Sequence, residues 1–311
     1  MKKLVSLISL VCIIIFIYWL TALLNTEPVI KNNQQEDAYT VDFFLTHDDG
    51  APIKFASPLE LNDKEEVIFQ INLNHNISET RNYALVILED YIQRDFLVED
   101  NEELMNVFIF KADKNSSNQF LITKTISPET RELSVLVIKK PNYVLKEFDL
   151  TRAVVLEEIF SSRHPILQER VIIDDAPLYN PEPDFIKTDK NPLGLLFLSS
   201  ELDRLQTTLV SKIHQKLYLS VANNSRLEQL DFVLIGLKDW EQYEFINGEK
   251  VLYTNFLSER QRKIYEIETP NVEKDTNIQF IAFPLPLPFK PDNEQHLSYQ
   301  AIGTFRLAVE P

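Results

Sequence analysis

One segment occurs twice in this chain. Asn74 to Phe96 reads NHNISETRNYALVILEDYIQRDF, and Asn223 to Phe245 reads NNSRLEQLDFVLIGLKDWEQYEF. The offset is a constant 149, without a gap, and seven of the 23 positions are identical. Conservative pairs extend the match: Tyr83 with Phe232, Val86 with Ile235, Tyr91 with Trp240, and Asp95 with Glu244. A looser correspondence sets ISPETRELSVLVIKKP, ending at Pro141, against ETPNVEKDTNIQFIAFP, ending at Pro284. Self-similarity of this kind, with strands, turn prolines and aromatics in one order, predicts a tandem duplication.

The repeated unit is a β unit. Val67, Phe69, Ile71 and Leu73 alternate with Ile68, Gln70 and Asn72, the period of a half-buried strand. Similar runs lie at 41–46, 83–88, 107–111, 120–125 and 133–138, and again at 193–198, 217–221, 232–237, 251–256, 264–267, 278–283 and 301–309. Short strands separated by Asn, Asp, Pro and Ser favour a sandwich over a parallel α/β sheet. The expectation is an all-β chain: an N-terminal transmembrane helix, then two tandem, duplicated immunoglobulin-like β-sandwich domains. The first sandwich is placed at 38–157, a linker at 158–192, and the second sandwich at 193–311. The linker contains NPEPDFIKTDKNP, whose prolines oppose regular structure. Residues 152–160 read as a last strand or a short helix. Leu202, Leu205, Leu209 and Ile213 at helical spacing predict a helix over 200–213. Asn247-Gly248 predicts a two-residue type I′ hairpin, because both residues accept positive φ. Its counterpart in the first copy is the longer acidic segment from Val98 to Glu103.

Residues 1–24 read as a signal anchor. Lys2 and Lys3 precede an uncharged run from Leu4 to Leu24, and 21 residues at about 1.5 Å each span the hydrocarbon core of a bilayer. Tyr18 and Trp19 stand near its distal end, where amphipathic rings favour the interface. A cleaved signal peptide is the alternative, but its apolar region is shorter, and the best cleavage point, after Ala22, has Leu20 where a small residue is wanted. The positive-inside rule keeps Lys2 and Lys3 cytoplasmic and places the remainder outside the cell. Residues 25–37 (NTEPVIKNNQQED) form a polar stalk. Beyond the anchor, 29 bases stand against 47 acids, a net −18, which repels anionic lipid heads and nucleic acid alike.

The single cysteine, Cys12, lies inside the apolar run, so the exported part has no disulfide framework, zinc ribbon or thiol nucleophile. Cysteine avoidance of this kind fits an exported bacterial protein. Five glycines, well separated, give no dinucleotide fingerprint and no phosphate loop. The five histidines show no H-E-x-x-H or H-x-H spacing. His47-Asp48-Asp49-Gly50 reads as a hydrated turn rather than a metal site, and Asp174-Asp175 before Ala-Pro as a cap or turn. The acidic segment Glu99–Glu103 lacks the ligand spacing of a calcium loop. Tyr91 with Trp240, and Phe96 with Phe245, read as packing aromatics. No catalytic residue, cofactor or metal ligand is assigned.

The remaining candidates are contacts. Pro284, Pro286, Pro288 and Pro291 hold an extended strip from which Leu285, Leu287 and Phe289 project. Loop tips near Asn101 and Gly248 complete the set, since binding residues favour loops on a rigid scaffold. The expected function is a single-pass, membrane-anchored binding or assembly module, its domains extracytoplasmic and its partner a protein at the outer membrane face. An accessory or sensing subunit of a membrane complex is the alternative. A sandwich hydrolase using Asp48, Asp49, Asp174 or Asp175 is the third reading.

Overall fold

The computed structural model describes residues 40–99, 103–167, 179–188, 195–202, 206–223, 230–256, 260–284 and 300–311. The anchor and stalk of residues 1–37 lie outside the described residues. Among those described, no helix is long and apolar enough to cross a membrane.

The first half runs β1 (Thr40–Thr46), β2 (Pro52–Ile53), β3 (Leu59–Glu60), β4 (Glu66–Asn76), β5 (Arg81–Glu89), β6 (Ile92–Gln93), β7 (Leu97–Val98), β8 (Val107–Ala112), β9 (Ser116–Thr125), β10 (Glu132–Lys139), α1 (Leu150–Glu157) and β11 (Ile159–Leu167). The second runs β12 (Phe185–Thr188), β13 (Leu196–Ser199), β14 (Val210–Lys212), β15 (Lys216–Ala222), β16 (Leu230–Lys238), β17 (Glu241–Gln242), β18 (Val251–Phe256), β19 (Gln261–Glu268), β20 (Thr276–Pro284), β21 (Ile302–Gly303) and β22 (Leu307–Glu310). Each half is a β-sandwich of two sheets. The outer sheets are ordered β2-β1-β4-β9-β7 and β12-β19-β15-β13. The inner sheets are ordered β3-β11-β10-β5 and β14-β22-β20-β16, with β8 and β18 closing them beyond β5 and β16. Even the short entering strands agree, β3 running parallel to β11 and β14 parallel to β22.

Among the described residues three of the four apolar cores involve the sheets' central strands. Tyr83, Leu85 and Ile87 of β5 point into the first sandwich, and Phe232 and Leu234 of β16 into the second. The alternate residues, Ala84, Val86 and Leu88 on β5 and Val233, Ile235 and Leu237 on β16, meet one another in a third core between the inner sheets. Leu136, Ile138, Ile281 and Phe283 join them from β10 and β20. This explains the unbroken runs YALVIL and FVLIGL, because a strand covered on both faces has no side left to be polar. Each Val, Leu or Ile so buried contributes about 1.5–3 kcal/mol relative to exposure.

The two inner sheets differ from the expected alignment in one respect. Lys139 stands opposite Tyr83, and Pro284 stands opposite Phe232. The matching residue of Pro284 is therefore Lys139, not Pro141. A slip of two residues keeps every side chain on its own face, so the apolar pattern cannot detect it.

Two stretches of the connection also depart from expectation. The interval 158–192, read as linker, carries β11, which pairs antiparallel with β10 over its length, and β12, which pairs with β19. The helix expected over 200–213 is absent at its C-terminal end. Thr207 bridges Ser199 and β14 occupies Val210–Lys212, with Leu209 buried beside α1 and Ile213 packed against the second core. Thr207, Thr208 and Val210 are β-branched, and their pairing to the sheets outweighs the helical spacing of the leucines. Over 152–160 both alternatives occur in turn, the end of α1 followed by the start of β11.

Candidate functional site

Of the residues expected to make contacts, Gly248 is described and exposed, and it sits at the tip of the hairpin that Asn247-Gly248 predicts. Asn247 has φ 50° and Gly248 φ 80°, and Glu249 N–H donates to Ile246 O at 2.9 Å. These are the type I′ values that Gly accepts without a Cβ penalty. Leu285, Leu287, Phe289 and Asn101 lie outside the described residues, as do Asp174 and Asp175. The His47–Gly50 segment is a turn between β1 and β2, where Asp49 Oδ1 accepts Ala51 N–H at 2.9 Å. Among the described residues no three His, Cys, Asp or Glu side chains come together as a metal ion would need.

The polar groups that do converge lie between the two sandwiches. Asp90-Tyr91 and Asp239-Trp240 are two-residue turns in which all four residues have positive φ, at 44°, 70°, 45° and 75°. Left-handed backbone is costly for an aromatic residue, and the aspartates offset it. Asp90 Oδ1 accepts the N–H groups of Arg131 (3.0 Å) and Glu132 (2.9 Å), and Asp239 Oδ1 accepts that of Asn277 (2.9 Å). The turns thereby deliver Tyr91 and Trp240 into the shared core, both buried as packing aromatics. Phe96 and Phe245 are likewise buried, one in each sandwich core.

Buried arginines cross the junction beside those rings. Arg163 donates to both carboxylate oxygens of Glu132, at 2.6 and 2.9 Å, and to Pro284 O of the other sandwich at 2.7 Å. Tyr91 O–H also donates to Glu132, at 2.8 Å. Arg306 repeats the arrangement from the opposite side. It donates to Lys140 O at 2.9 Å and to Lys139 O, and it lies 4.6 Å over the Trp240 ring. The position of Glu132 is taken there by Asn277, so Arg306 has no carboxylate partner among the described residues, and burial pushes its guanidinium down to about 9. Reciprocal contacts of this sort define an approximate local two-fold axis. These arginines are structural clamps. They were not legible as such, because each partner lies far away in sequence.

Side chains open to solvent gather elsewhere. Helix α1 is capped by Asp149, whose side chain accepts Arg152 N–H at 3.1 Å. Its Ala153 and Leu156 pack on Leu209 and Ala308 of the second sandwich. The opposite face presents Leu150, Val154 and Val155, and Phe148 precedes the cap, all exposed, with Val154 at 57%. Phe148 also lines an open cavity of about 320 Å³ with Ser200, Glu201, Gln206, Thr208 and Val210. Contiguous apolar groups beside a cavity are the marks of an interaction surface.

No family model matches the chain, and no curated protein matches it. Among solved structures, the periplasmic chaperone SfaE is similar at 11% identity and a TM-score of 0.24, over 87% of this chain and 100% of that one. The Salmonella enterica SafA pilin in complex with the SafB chaperone gives 11% identity and 0.24 over 87% of this chain and 96% of that chain. WR4, a C. elegans member of the MSP family, gives 9% and 0.22 over 36% of this chain and 93% of that one.

Proposed function

We propose that this chain is a membrane-tethered, extracytoplasmic binding module that holds a protein partner at the outer membrane face and turns over no substrate. The observation that carries the reading is the apolar row Phe148, Leu150, Val154 and Val155, left open to solvent on a helix whose other face is fixed to the second sandwich. A protein suits this surface better than a lipid headgroup, since the net −18 beyond the anchor opposes anionic membranes. The tether is the uncharged run from Leu4 to Leu24. The two sandwiches are read as copies of one ancestral domain, on the constant offset of 149 and the matching strand pairings.

Two experiments test this. Protease added to intact cells should digest everything beyond Asn25, whereas protection until lysis would reverse the orientation. A photoreactive residue at Val154 of the full-length chain should form an adduct with another polypeptide. Phe148→Asp with Leu150→Asp should abolish that adduct while leaving the unfolding temperature within a few degrees. An adduct that survives both substitutions would contradict the assignment of this surface.

A further inference from the structure

The inner sheets end on β8 and β18, and the two ends are treated differently. On β18 the chain covers its own edge. Tyr253 N–H points away from β16 and donates to Tyr179 O at 2.7 Å, the Tyr179 hydroxyl accepts from Asn247 Nδ2 at 2.7 Å, and the Tyr179 ring packs against the second core. Tyr253 stands opposite Val233, and Ile109 of β8 stands opposite Ala84, the residue 149 positions before Val233.

The pairing parity fixes where the β8 peptide groups point. Lys140 N–H donates to Asn82 O, which turns the even residues of β5 toward β10 and its odd residues toward β8. Phe108 and Phe110, opposite Leu85 and Tyr83, therefore make the ladder bonds. Val107, Ile109 and Lys111 direct their peptide groups outward. Among the described residues, no group accepts from Ile109 N–H, and its side chain is 46% exposed, with Leu104 still more open just before the strand. Beneath the strand, Phe108, Phe110 and Phe120 form a ring cluster with centroids 4.7–5.7 Å apart.

We infer that the β8 edge is a site of β-strand addition for an extended segment of a partner protein, carrying an aromatic residue that packs near Phe108. The template is the chain's own treatment of β18, where one backbone acceptor and one tyrosine ring cover the matching position. Among the described residues no strand pairs with this edge, and an edge open beside an exposed apolar residue is a feature that proteins otherwise blunt or cover. Main-chain bonds to Ile109 would supply affinity, and the aromatic side chain would supply selectivity. This surface is separate from that of α1, so either can fail without the other.

The test has two arms. In the purified full-length chain, hydrogen exchange at the Ile109 amide should be at least 100-fold faster than at Tyr253. Equal protection would mean that the chain already covers the edge, and would overturn the inference. In cells, a photoreactive residue at Lys111 should form an adduct with a different polypeptide, mapped to an extended stretch containing an aromatic residue. Ile109→Pro removes the outward N–H without touching a ladder bond, and it should reduce that adduct at least tenfold with the fold intact by circular dichroism. An adduct with a second copy of this chain, no adduct, or one indifferent to Ile109→Pro would each overturn it.

Discussion

Gln93 and Gln242, 149 residues apart, each accept the other's backbone N–H on their side-chain oxygens, at 2.6 and 2.8 Å. Their amide nitrogens complete the exchange, Gln93 donating to Trp240 O at 3.0 Å and Gln242 to Tyr91 O at 2.8 Å. This pair stands at the local two-fold relation between the sandwiches. Gln93→Ala and Gln242→Ala should each cost about 1–3 kcal/mol, since each leaves a partly buried N–H unpaired. The double variant should cost less than the sum, with a coupling of about 0.5–3 kcal/mol in a denaturation cycle. Strict additivity would mean that the two amides do not sense each other.

The two clamps should respond unequally to loss of charge. Arg163→Met strands the buried Glu132 carboxylate and should cost about 3–5 kcal/mol. Arg306→Met strands only the carbonyls of Lys139 and Lys140, and should cost about 1–3 kcal/mol. Adding Glu132→Leu to Arg163→Met should recover part of the loss. Urea titration of the three variants measures this directly, and equal costs for the two arginines would argue against it.

Gly236 occupies the position matched by Ile87 in the first sandwich, and Tyr243 the position matched by Arg94. A Cβ on Gly236 would stand 2.8 Å from Tyr243 Cε1 and 3.2 Å from Phe280 Cε1. The tyrosine ring thus fills the space that an isoleucine fills in the other copy, and the glycine is small because the ring is large. Gly236→Ile alone should cost about 1–3 kcal/mol by overpacking. Combining it with Tyr243→Arg, which transplants the first copy's pair, should recover most of that. No recovery would mean that the two copies differ in backbone and not only in this exchange.

Stability should decline on acidification in two stages. Burial pushes the His164 imidazole below its ordinary 6.5, with Nδ1 bonded to Ser57 O at 2.9 Å and Nε2 to Ser162 Oγ at 2.7 Å. The unfolded chain takes up this proton first, so stability falls as pH drops through about 6.5. Burial alone would raise the Glu89 carboxyl, but Lys124 at 2.5 Å, Thr130 and the Ser127 N–H outweigh it and hold it below 4.5. Its contribution is present above that value and is lost as pH falls toward the lowered folded value. His164→Asn should flatten the upper stage and leave the lower. Thermal unfolding across pH 8 to 3.5 reads both, and an unchanged slope between pH 7 and 5.5 would contradict the first.

The sequence carried the strands well, because a period of two survives in runs such as VIFQINL. It carried β11 poorly. IFSSRHPIL buries Ser161, Arg163 and His164 against Ala301, Glu132 and Ser57, so polar side chains fill positions where apolar ones signal a strand. The run YALVIL announced a strand covered on both faces but not what covers its second face. The identical Asp and Gln of the repeat, read as traces of duplication, are the residues that build the junction. Nothing in spacing alone separates those two meanings. The apolar face of α1 was hidden too, since a helix of eight residues leaves a period too short to stand out from the flanking strands.

The two sandwiches share a core and form one compact unit from Thr40 to Pro311. Calorimetry of that region tests it most directly. A shared core should give one transition whose calorimetric and van't Hoff enthalpies agree, with Leu88→Ala or Leu237→Ala lowering the whole transition together. Two separable transitions, only one of them moved by each substitution, would contradict it.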